Sequence, residues 1–385
     1  MGETSLRETE VSAIMPCLNE EETIGTCVKK AFECFASLGV AGEVVIGDNG
    51  STDRSVQIAE ALGARVVHQQ VKGYGAAILA AVGGARGKYC IMADSDDSYD
   101  WSNMGPFIEK LREGYDLVMG TRLKGTILPS AMPPLHRYFG NPFLSGIMNV
   151  FFKTGMSDAH CGMRGFSRAA FERMNLTTTG MEFATEMVVK ASRKRMRVTE
   201  IPITLHPAGR TRPPHLRSFR DGWRHLRFML FHAPDYLYVI PGAVFFLLGG
   251  FLQLLLLTGP VQLGGMYFGI HWLALGCLLC LIGFQILSLG AFAKAFAMNK
   301  SFEMSGKIFK AVLNWFSLEV GLVAGSILVL LGLAADLAIT LVWIYRHLGP
   351  LASTHTVFVA TTAVALGVQI IFSSFFLSLF LLDKD

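Results

Sequence analysis

The segment Asp94-Ser95-Asp96-Asp97 places three carboxylates directly after the apolar run 88–93. The run predicts a buried strand, so the acidic segment would lie at its C-terminal end. Crowded carboxylates repel one another unless a cation or an array of hydrogen-bond donors lies between them. Their hard oxygen atoms suit Mg²⁺ or Mn²⁺, ions that commonly link a protein to a substrate diphosphate. The segment therefore predicts a site for metal-assisted phosphate chemistry.

The elements that would position this site alternate between strand and helix. Strands are predicted at 11–15, 43–47, 65–68, 89–93 and 115–120, and helices at about 21–38, 54–62 and 74–86. This alternation predicts a mostly parallel sheet that binds ligands at the carboxyl ends of its strands. Further polar clusters follow these strands at 16–21, 47–53 and 72–76. Helix capping is an alternative role for Asn19 and for Ser51 or Asp53, because these residue types are favourable N-caps.

Charge and cysteine content narrow the class of protein. The net charge of +4 is too modest to indicate nucleic-acid binding. The seven cysteines show no paired framework, which predicts reduced thiols in a cytosolic environment. Cys277 and Cys280 form a C-x-x-C within an apolar segment, where helix packing is a better interpretation than metal binding.

Four segments are long and apolar enough to span a membrane, at about 237–257, 271–293, 318–344 and 356–381. The connection 294–316 carries four lysines, whereas the connection 258–270 carries no Lys or Arg. The positive-inside rule then predicts that the lysine-rich connection and both termini are cytoplasmic. The polar segment 1–10 lacks the apolar region of a signal peptide, which agrees with a cytoplasmic N-terminal domain.

A basic segment precedes the first span, with Arg217, Arg220, Arg224 and Arg227 at helical spacing among Leu, Phe and Trp. This pattern predicts an amphipathic helix on the membrane surface, and an ordinary surface helix is the alternative. The chain would then divide into an N-terminal domain at 1–214, an interfacial helix at 215–235 and a transmembrane domain at 236–385.

Two features of the predicted spans leave alternatives open. Asp336 in the third span is either a functional intramembrane carboxylate or a residue near the outer interface or paired within the bundle. Glycines recur at 242, 249, 250, 276, 283, 321, 325 and 332. They allow close helix contacts, which is compatible with packing inside one chain or with a homo-oligomer.

The motifs within 9–236, taken together, resemble glycosyltransferase family 2 in the branch of dolichyl-phosphate mannose and polyprenyl-phosphate glucose synthases. They are P-x-x-N-E-E at 16–21, G-D-N-G-S-T-D at 47–53, K-G-Y-G-A-A at 72–77, A-D-S-D-D-S at 93–98, G-T-R at 120–122, H-R-Y-x-G-N at 136–141, D-x-x-C-G-M-R-G-F at 158–166 and G-M-E-F-x-x-E-M at 180–187. The resemblance implies a Rossmann-like α/β GT-A domain with a mostly parallel sheet, joined to an all-α domain of four transmembrane helices. It also implies a nucleotide-diphosphate sugar donor, a polyprenyl phosphate acceptor and Mg²⁺ or Mn²⁺.

The resemblance also implies roles for residues on the donor side. The nucleotide pocket would be lined by Pro16, Asn19, Glu20, Asp48, Lys72, Gly73 and Asp94. Asp94 and Asp96 would hold the cation against the diphosphate. The chain departs from the family pattern at two positions, with Ser98 where a Gln often assists the metal and Asn49 where a second Asp is common.

On the acceptor side, the resemblance implies a cationic pocket for the lipid phosphate. Its residues would be Arg122, Arg137, Asn141, Arg210 and Arg212. Guanidinium groups suit this role because each can bond two phosphate oxygens. For the segment that contains Arg210 and Arg212, a solvated charged loop is the alternative.

Asp158 and Glu182 match family positions near the sugar. We expect them to bind sugar hydroxyls, and a salt bridge with Arg164 is the alternative for Asp158. The acceptor phosphate, with a second pKa of about 6, is largely dianionic at neutral pH and needs no strong base. Catalysis then depends on positioning and charge stabilisation, with inversion at the anomeric carbon.

The resemblance favours UDP-glucose as donor, with GDP-mannose as the alternative, and a bacterial inner membrane as the location. Other classes fit less well. A processive polysaccharide synthase would carry a Q-x-x-R-W motif and more spans. A transporter with a degenerate nucleotide-binding domain would carry paired polar interruptions in its spans. A soluble nucleotidyltransferase would lack the spans.

Overall fold

The computed structural model describes residues 9–212, 218–299, 317–349 and 353–380. The chain divides into two compact units, Met1–Met229 and Leu230–Asp385. The first unit contains the sheet and its flanking helices, and the second contains the long apolar helices.

A seven-stranded mixed sheet forms the centre of the first unit. The strands are β1 Val11–Cys17, β2 Gly42–Asp48, β3 Arg65–His68, β4 Tyr89–Met92, β5 Leu117–Ile127, β6 Arg164–Ser167 and β7 Val198–Leu205. Their order across the sheet is β3-β2-β1-β4-β6-β5-β7, and β6 is antiparallel to both of its neighbours. The other neighbouring pairs are parallel, so the prediction of a mostly parallel sheet is confirmed.

Helices follow most of the strands and cover the sheet. In the first unit they are α1 Ile24–Leu38, α2 Ser55–Ala61, α3 Tyr74–Gly84, α4 Gly105–Arg112, α5 Asn141–Phe152, α6 Arg168–Met174, α7 Phe183–Arg193 and α8 Ser218–His232, the last of which ends in the second unit. A 3₁₀ turn at Trp101–Asn103 and a π-helical turn at His136–Gly140 complete the set. On α1, apolar residues at helical spacing, including Ile24, Val28 and Phe35, are buried in the core.

The register brings the carboxyl ends of the central strands to one edge of the sheet. Cys17 of β1 pairs with Asp48 of β2, and Ile14 of β1 pairs with Met92 of β4. The polar segments that follow β1, β2 and β4 therefore emerge side by side, as expected for parallel strands.

Two strands were not predicted from the sequence. The short strand β6, Arg164–Ser167, lacks both an apolar run and an alternation of apolar and polar residues. The strand β7 contains Pro202 and lies at the edge of the sheet, where a proline is tolerated because one side of the strand is unpaired. The strand β5 also extends to Ile127, further than predicted, and carries Arg122.

In the described part of the second unit, four helices are long and apolar enough to cross a membrane: Asp235–Leu255, Ile270–Phe296, Leu318–Tyr345 and Thr354–Leu379. The predicted number of spans is confirmed. A hairpin of Val261–Leu263 and Met266–Phe268 connects the first two. Most of the lysine-rich connection lies outside the described residues. Lys294, which is described, forms an ion pair with Asp235.

Glycines bring these helices close together at several points. A Cβ at Gly249 would lie 2.4 Å from the backbone nitrogen of Cys280, and a Cβ at Gly325 would lie 2.7 Å from the carbonyl oxygen of Gly367. Gly250, in contrast, faces open space. Cys277 and Cys280 are buried free thiols, in agreement with packing. Among the described residues, Oδ1 of Asp336 is buried without a hydrogen-bond partner.

Candidate functional site

The loops after β1 and β2 hold each other through side-chain contacts. Oδ1 of Asn19 accepts a hydrogen bond from the N–H of Thr52 at 2.7 Å, and the N–H of Asn19 donates to Oγ of Ser51 at 3.0 Å. The helix α1 begins at Ile24 after Thr23, so the capping alternative for Asn19 is wrong. Asp53 does make a contact of the capping type, because its Oδ1 accepts from the N–H of Ser55 at 3.0 Å.

Asp48 lies at the end of β2 with an almost fully buried side chain. Its carboxylate accepts hydrogen bonds from the N–H groups of Gly50 and Ser51 and lies 3.1 Å from Nδ1 of His68. Burial acts to raise the pKa of Asp48, but the hydrogen bonds from Ser51, His68 and Gly50 outweigh it, and the pKa is lowered. Asp48 therefore stays ionised and fixed in orientation.

Asp94 lies two residues beyond the carboxyl end of β4 and is half-buried. The Tyr74 side chain acts to lower the pKa of this carboxylate. A Cβ at Gly162 would lie 3.1 Å from Oδ2 of Asp94, so the glycine leaves room for the carboxylate. Burial, and then the charge of Asp96, raise the pKa of Asp94 to about 7 against the opposing effects of Tyr74, Arg210 and Arg122.

Asp96 is held in a single orientation by a residue two positions further on. Its Oδ1 accepts hydrogen bonds from the N–H of Ser98 at 3.1 Å and from the Ser98 hydroxyl at 2.5 Å. Asp97 turns away from this pair and forms an ion pair with Lys30 of α1 at 2.7 Å. Of the three carboxylates in the acidic segment, two therefore remain for the site.

Two arginines of the loop after β7 neutralise this acidic edge. Arg210 donates to Oε1 of Glu20 at 2.7 Å and to Oδ2 of Asp96 at 3.0 Å. Arg212 lies 2.5 Å from the same oxygen of Glu20 and donates to the carbonyl of Leu18. Burial raises the pKa of Glu20, while both arginines oppose that shift. The two arginines that the sequence assigned to the lipid phosphate thus contact the carboxylates assigned to the nucleotide and the metal.

Asp94 and Asp96 have the chemistry of a partial ligand set for Mg²⁺ or Mn²⁺. Both supply hard carboxylate oxygens, and the charge of Asp96 adds to burial in raising the pKa of Asp94. Among the described residues, no three His, Cys, Asp or Glu side chains form a protein-only metal centre. Two carboxylates therefore fit a cation whose remaining ligands come from a diphosphate and water.

Arg122 and Asp158 form a buried bidentate ion pair. Nε and Nη2 of Arg122 donate to the two carboxylate oxygens of Asp158 at 2.7 and 2.8 Å, and the N–H of Arg122 donates at 3.0 Å. Glu200, which the sequence did not single out, accepts from the N–H groups of Ser157 and Asp158 and fixes this turn. The alternative partner Arg164 instead donates to three backbone carbonyls. Asp158 is fully buried and accepts two hydrogen bonds from the Arg122 guanidinium, so it is placed to orient that arginine.

The remaining predicted residues occupy separate positions. Arg137 lies over the ring of Tyr138 at 5.4 Å, and Asn141 donates to Sδ of Met132 at 3.5 Å. Glu182 precedes α7, and its Oε2 is buried without a hydrogen-bond partner among the described residues. The carbonyl of Pro16 accepts from the Ser95 hydroxyl at 2.7 Å, which ties β1 to the acidic segment. Lys72 and Gly73 lie beside Asn49.

A pair of histidines that sequence reasoning missed lies beside Asp158. His160 and His225 of α8 make an edge-to-face contact with ring centroids 4.6 Å apart. The Thr185 hydroxyl is 2.7 Å from Nδ1 of His225 and 3.4 Å from Nε2 of His160. Burial lowers the pKa of His225 to about 4, although Asp221 opposes it. The motif around Asp158 contained His160, but nothing in the sequence indicated a partner on α8.

Two family profiles match the chain. The family described as "Glycosyl transferase family 2" matches residues 12–174, and "Glycosyltransferase family 2 C-terminal transmembrane region" matches residues 291–381. The low-salt glycan biosynthesis hexosyltransferase Agl6 of Haloferax volcanii is 42% identical over 372 residues, which cover 95% of this chain and 88% of that protein. A dolichyl-phosphate hexose transferase of the same organism is 30% identical over 196 residues, covering 50% of this chain and 82% of that protein.

The solved structures that are similar to this chain include a synthase with bound ligands. It is glucosyl-3-phosphoglycerate synthase from Mycobacterium tuberculosis in complex with Mn²⁺, uridine diphosphate and glucosyl-3-phosphoglycerate. The sequences are 18% identical, the TM-score is 0.47, and the match covers 58% of this chain and 79% of that chain.

Proposed function

Because this chain belongs to glycosyltransferase family 2, we propose that it transfers a single hexose from a nucleotide-diphosphate sugar to a polyprenyl phosphate, inverting the anomeric carbon. The observation that carries the proposal is the carboxylate pair at the end of β4, where Asp96 is oriented by Ser98 and balanced by Arg210. An intact and ordered acidic pair of this kind is what a catalytic site for diphosphate chemistry requires.

The membrane-spanning region supports a lipid acceptor. The Haloferax hexosyltransferase matches 95% of this chain, spans included, and a shorter relative is a dolichyl-phosphate hexose transferase. A lipid phosphate stays at the membrane surface, so an enzyme that uses it gains from being anchored there. The similar lengths of the chain and the hexosyltransferase favour one reaction type for both.

On the donor side, the chain's own carboxylates and loop groups would bind the nucleotide. Glu20 and Asp48 present acceptors for base and ribose donors, with Asn19 and Pro16 fixing the loop between them. Lys72 and Gly73 would contact the nucleotide from the opposite loop. Asp94 and Asp96 would hold a divalent cation, which neutralises the departing nucleoside diphosphate when bound.

On the acceptor side, Arg122 would hold the phosphate in line with the anomeric carbon, with Arg137 and Asn141 nearby in the chain. The bidentate pair with Asp158 uses Nε and Nη2 of Arg122 and so orients the guanidinium. The phosphate dianion attacks without a general base. Glu182 would bind sugar hydroxyls, because a buried carboxylate oxygen without a partner is a ready acceptor for them.

UDP-glucose is the donor that we favour, and GDP-mannose is the alternative. We further propose that the catalytic unit and both termini face the cytoplasm, on the basis of the lysine-rich connection. One relative from Haloferax volcanii is a dolichyl-phosphate hexose transferase, so a dolichyl phosphate is the alternative to a bacterial polyprenyl phosphate. A processive polysaccharide synthase is the candidate of another class.

A transfer assay tests the proposal. The full chain in detergent is given Mn²⁺ or Mg²⁺, a short polyprenyl phosphate and a panel of UDP- and GDP-sugars, with Asp96→Ala as the comparison. We expect nucleoside diphosphate release together with one lipid-linked hexose, lost in the variant. Repeated additions would indicate a polymerase. Absence of transfer by folded protein with every donor would overturn the proposal.

A further inference from the structure

We propose that Asn49 is a positioning residue whose side-chain amide holds the loop 69–73, and with it Lys72 and Gly73, in the nucleotide pocket, an inference that rests on the proposed function. Asn49 follows β2 and is buried. Its Nδ2 donates to the carbonyls of Gln69 and Val71 at 3.2 and 2.8 Å, and its Oδ1 accepts from the N–H of Gly73 at 2.7 Å. One side chain thus fixes three points of the loop that follows β3.

The direction of these hydrogen bonds requires an amide rather than a carboxylate. Two of the three partners are carbonyl oxygens, which accept and cannot donate. An aspartate would place an acceptor-only oxygen against the carbonyls of Gln69 and Val71 and leave both unpaired. The clamp therefore depends on the amide group of Asn49.

Lys72 is held by the backbone of Asn49. Its ammonium donates to the carbonyl of Asn49 at 2.7 Å. The ammonium passes over Gly50, where a Cβ would lie only 2.4 Å from Nζ and where the backbone φ is +85°. The loop that Asn49 anchors therefore fixes the positive charge of Lys72 at the carboxyl end of β2. The ammonium fits there because Gly50 has no side chain.

The other face of the same loop rests on the segment that leads to Glu182. A Cβ at Gly73 would lie 2.1 Å from the carbonyl of Thr179, and that carbonyl also accepts from the N–H of Ala76 at 3.1 Å. The Thr178 backbone in turn donates to the buried carboxylate of Glu186 at 2.9 Å. Gly73 is thus held between Asn49 and a second fixed segment, and losing the amide would release one of the two supports.

The expected consequence is a defect in nucleotide binding rather than in chemistry. Asn49→Asp would replace the donor to the Gln69 and Val71 carbonyls with an acceptor and so loosen the loop that carries Lys72 and Gly73, at a cost of about one order of magnitude in nucleotide affinity. Binding of UDP and of GDP is measured by calorimetry on the full chain in detergent with Mn²⁺. We expect the dissociation constant and the KM of the donor to rise about tenfold, with kcat and the KM of the acceptor within about twofold.

Asn103→Asp is the matched control, because Asn103 is exposed on the turn Trp101–Asn103 and the chemical change is the same. If Asn49→Asp unfolds, Asn49→Ala removes the clamp without adding charge, and we expect a rise of about threefold. Equal affinity in the variant that folds would overturn this inference alone. Failure of the wild-type chain to bind either nucleotide would overturn the proposed function and the inference with it.

Discussion

The guanidinium of Arg210 lies 3.0 Å from Oδ2 of Asp96 and 2.7 Å from Oε1 of Glu20. Arg210 belongs to the loop after β7, whereas both carboxylates lie on loops at the carboxyl ends of central strands. The arginine supplies the positive charge that a divalent cation would bring to Asp96. The proposed cation would therefore compete with Arg210 for the same carboxylate.

The first prediction concerns this competition. Arg210→Gln should bind Mn²⁺ about tenfold more tightly in the absence of nucleotide. The substitution removes the positive charge of Arg210, which lies beside Asp96 and repels the cation. Transfer to the lipid phosphate should nevertheless fall, since Arg210 also holds Glu20, which is proposed to bind the nucleotide. Free Mn²⁺ is followed by electron paramagnetic resonance during titration of the protein.

Arg212→Gln is the control for this experiment, because Arg212 contacts Glu20 rather than Asp96. Its effect on Mn²⁺ affinity should be clearly smaller. Unchanged or weaker Mn²⁺ binding by Arg210→Gln would show that the arginine does not oppose the cation.

The second prediction concerns the buried pair of Arg122 and Asp158. Asp158→Asn keeps the shape of the side chain but leaves a buried guanidinium without its counter-charge, which should cost about 3–5 kcal/mol of stability. The KM of the lipid phosphate should also rise, because Arg122 loses its orientation. Urea denaturation and acceptor kinetics measure the two effects.

Glu10→Gln provides the matched comparison. Glu10 forms a bidentate pair with Arg112 at 2.7 and 2.8 Å, but on the surface. The same chemical change there should cost about 0–1 kcal/mol. Equal costs for the two variants would mean that burial of the Arg122 pair has no energetic role.

The sequence predicted the framework of the site but not its internal pairing. Runs of apolar residues located β1, β2 and β4, and parallel strands necessarily bring their carboxyl ends together. Pattern alone cannot tell which long charged side chains meet. The sequence therefore assigned Arg210 to the acceptor, although in the structure it contacts Asp96.

The helix α8 shows a second limit of sequence reasoning. The sequence indicated an amphipathic helix from its arginines, and Arg217 lies outside the described residues. In the structure, Asp221 and His225 are buried, while Phe219 is 86% and Trp223 56% exposed. In most surface helices the aromatic rings are buried and the polar groups exposed, and α8 shows the reverse. The periodicity of the sequence cannot predict this reversal because it does not show which face of the helix packs against the protein.

The third prediction follows from these exposed rings. Exposed aromatic residues beside basic ones suit the interface of a bilayer, so position 223 should lie among lipid head groups. An environment-sensitive dye on Trp223→Cys should shift to the blue in proteoliposomes and be quenched by spin-labelled lipid. The native cysteines are buried, which favours selective labelling.

Glu60→Cys on α2 is the reference, because Glu60 is exposed on a helix that covers the sheet. A dye at this position should show the emission of an aqueous environment and resist the lipid quencher. If both positions respond alike, α8 is an ordinary surface helix.

The fourth prediction is a pH dependence of stability that arises from His225. Burial lowers its folded-state pKa to about 4, below the value of about 6.5 in an unfolded chain. Between these two values the unfolded chain binds more protons than the folded one. The stabilising contribution is thus fully present above about pH 6.5 and is lost as the pH falls towards 4.

His225→Asn separates this proton-linked contribution from packing. At pH 8 His225 is neutral in the folded and the unfolded chain. The variant should therefore have a lower free energy of unfolding only because it loses the packing of the ring and the contact with Thr185. As the pH falls to 5, the wild-type chain alone must keep an uncharged His225, and the difference should narrow by about 2 kcal/mol. Urea denaturation at pH 8, 6.5 and 5 measures the difference. If the free energies of unfolding of the wild-type chain and His225→Asn differ equally at all three pH values, His225 is not the titrating group. The difference between the wild-type chain and His160→Asn should then narrow as the pH falls.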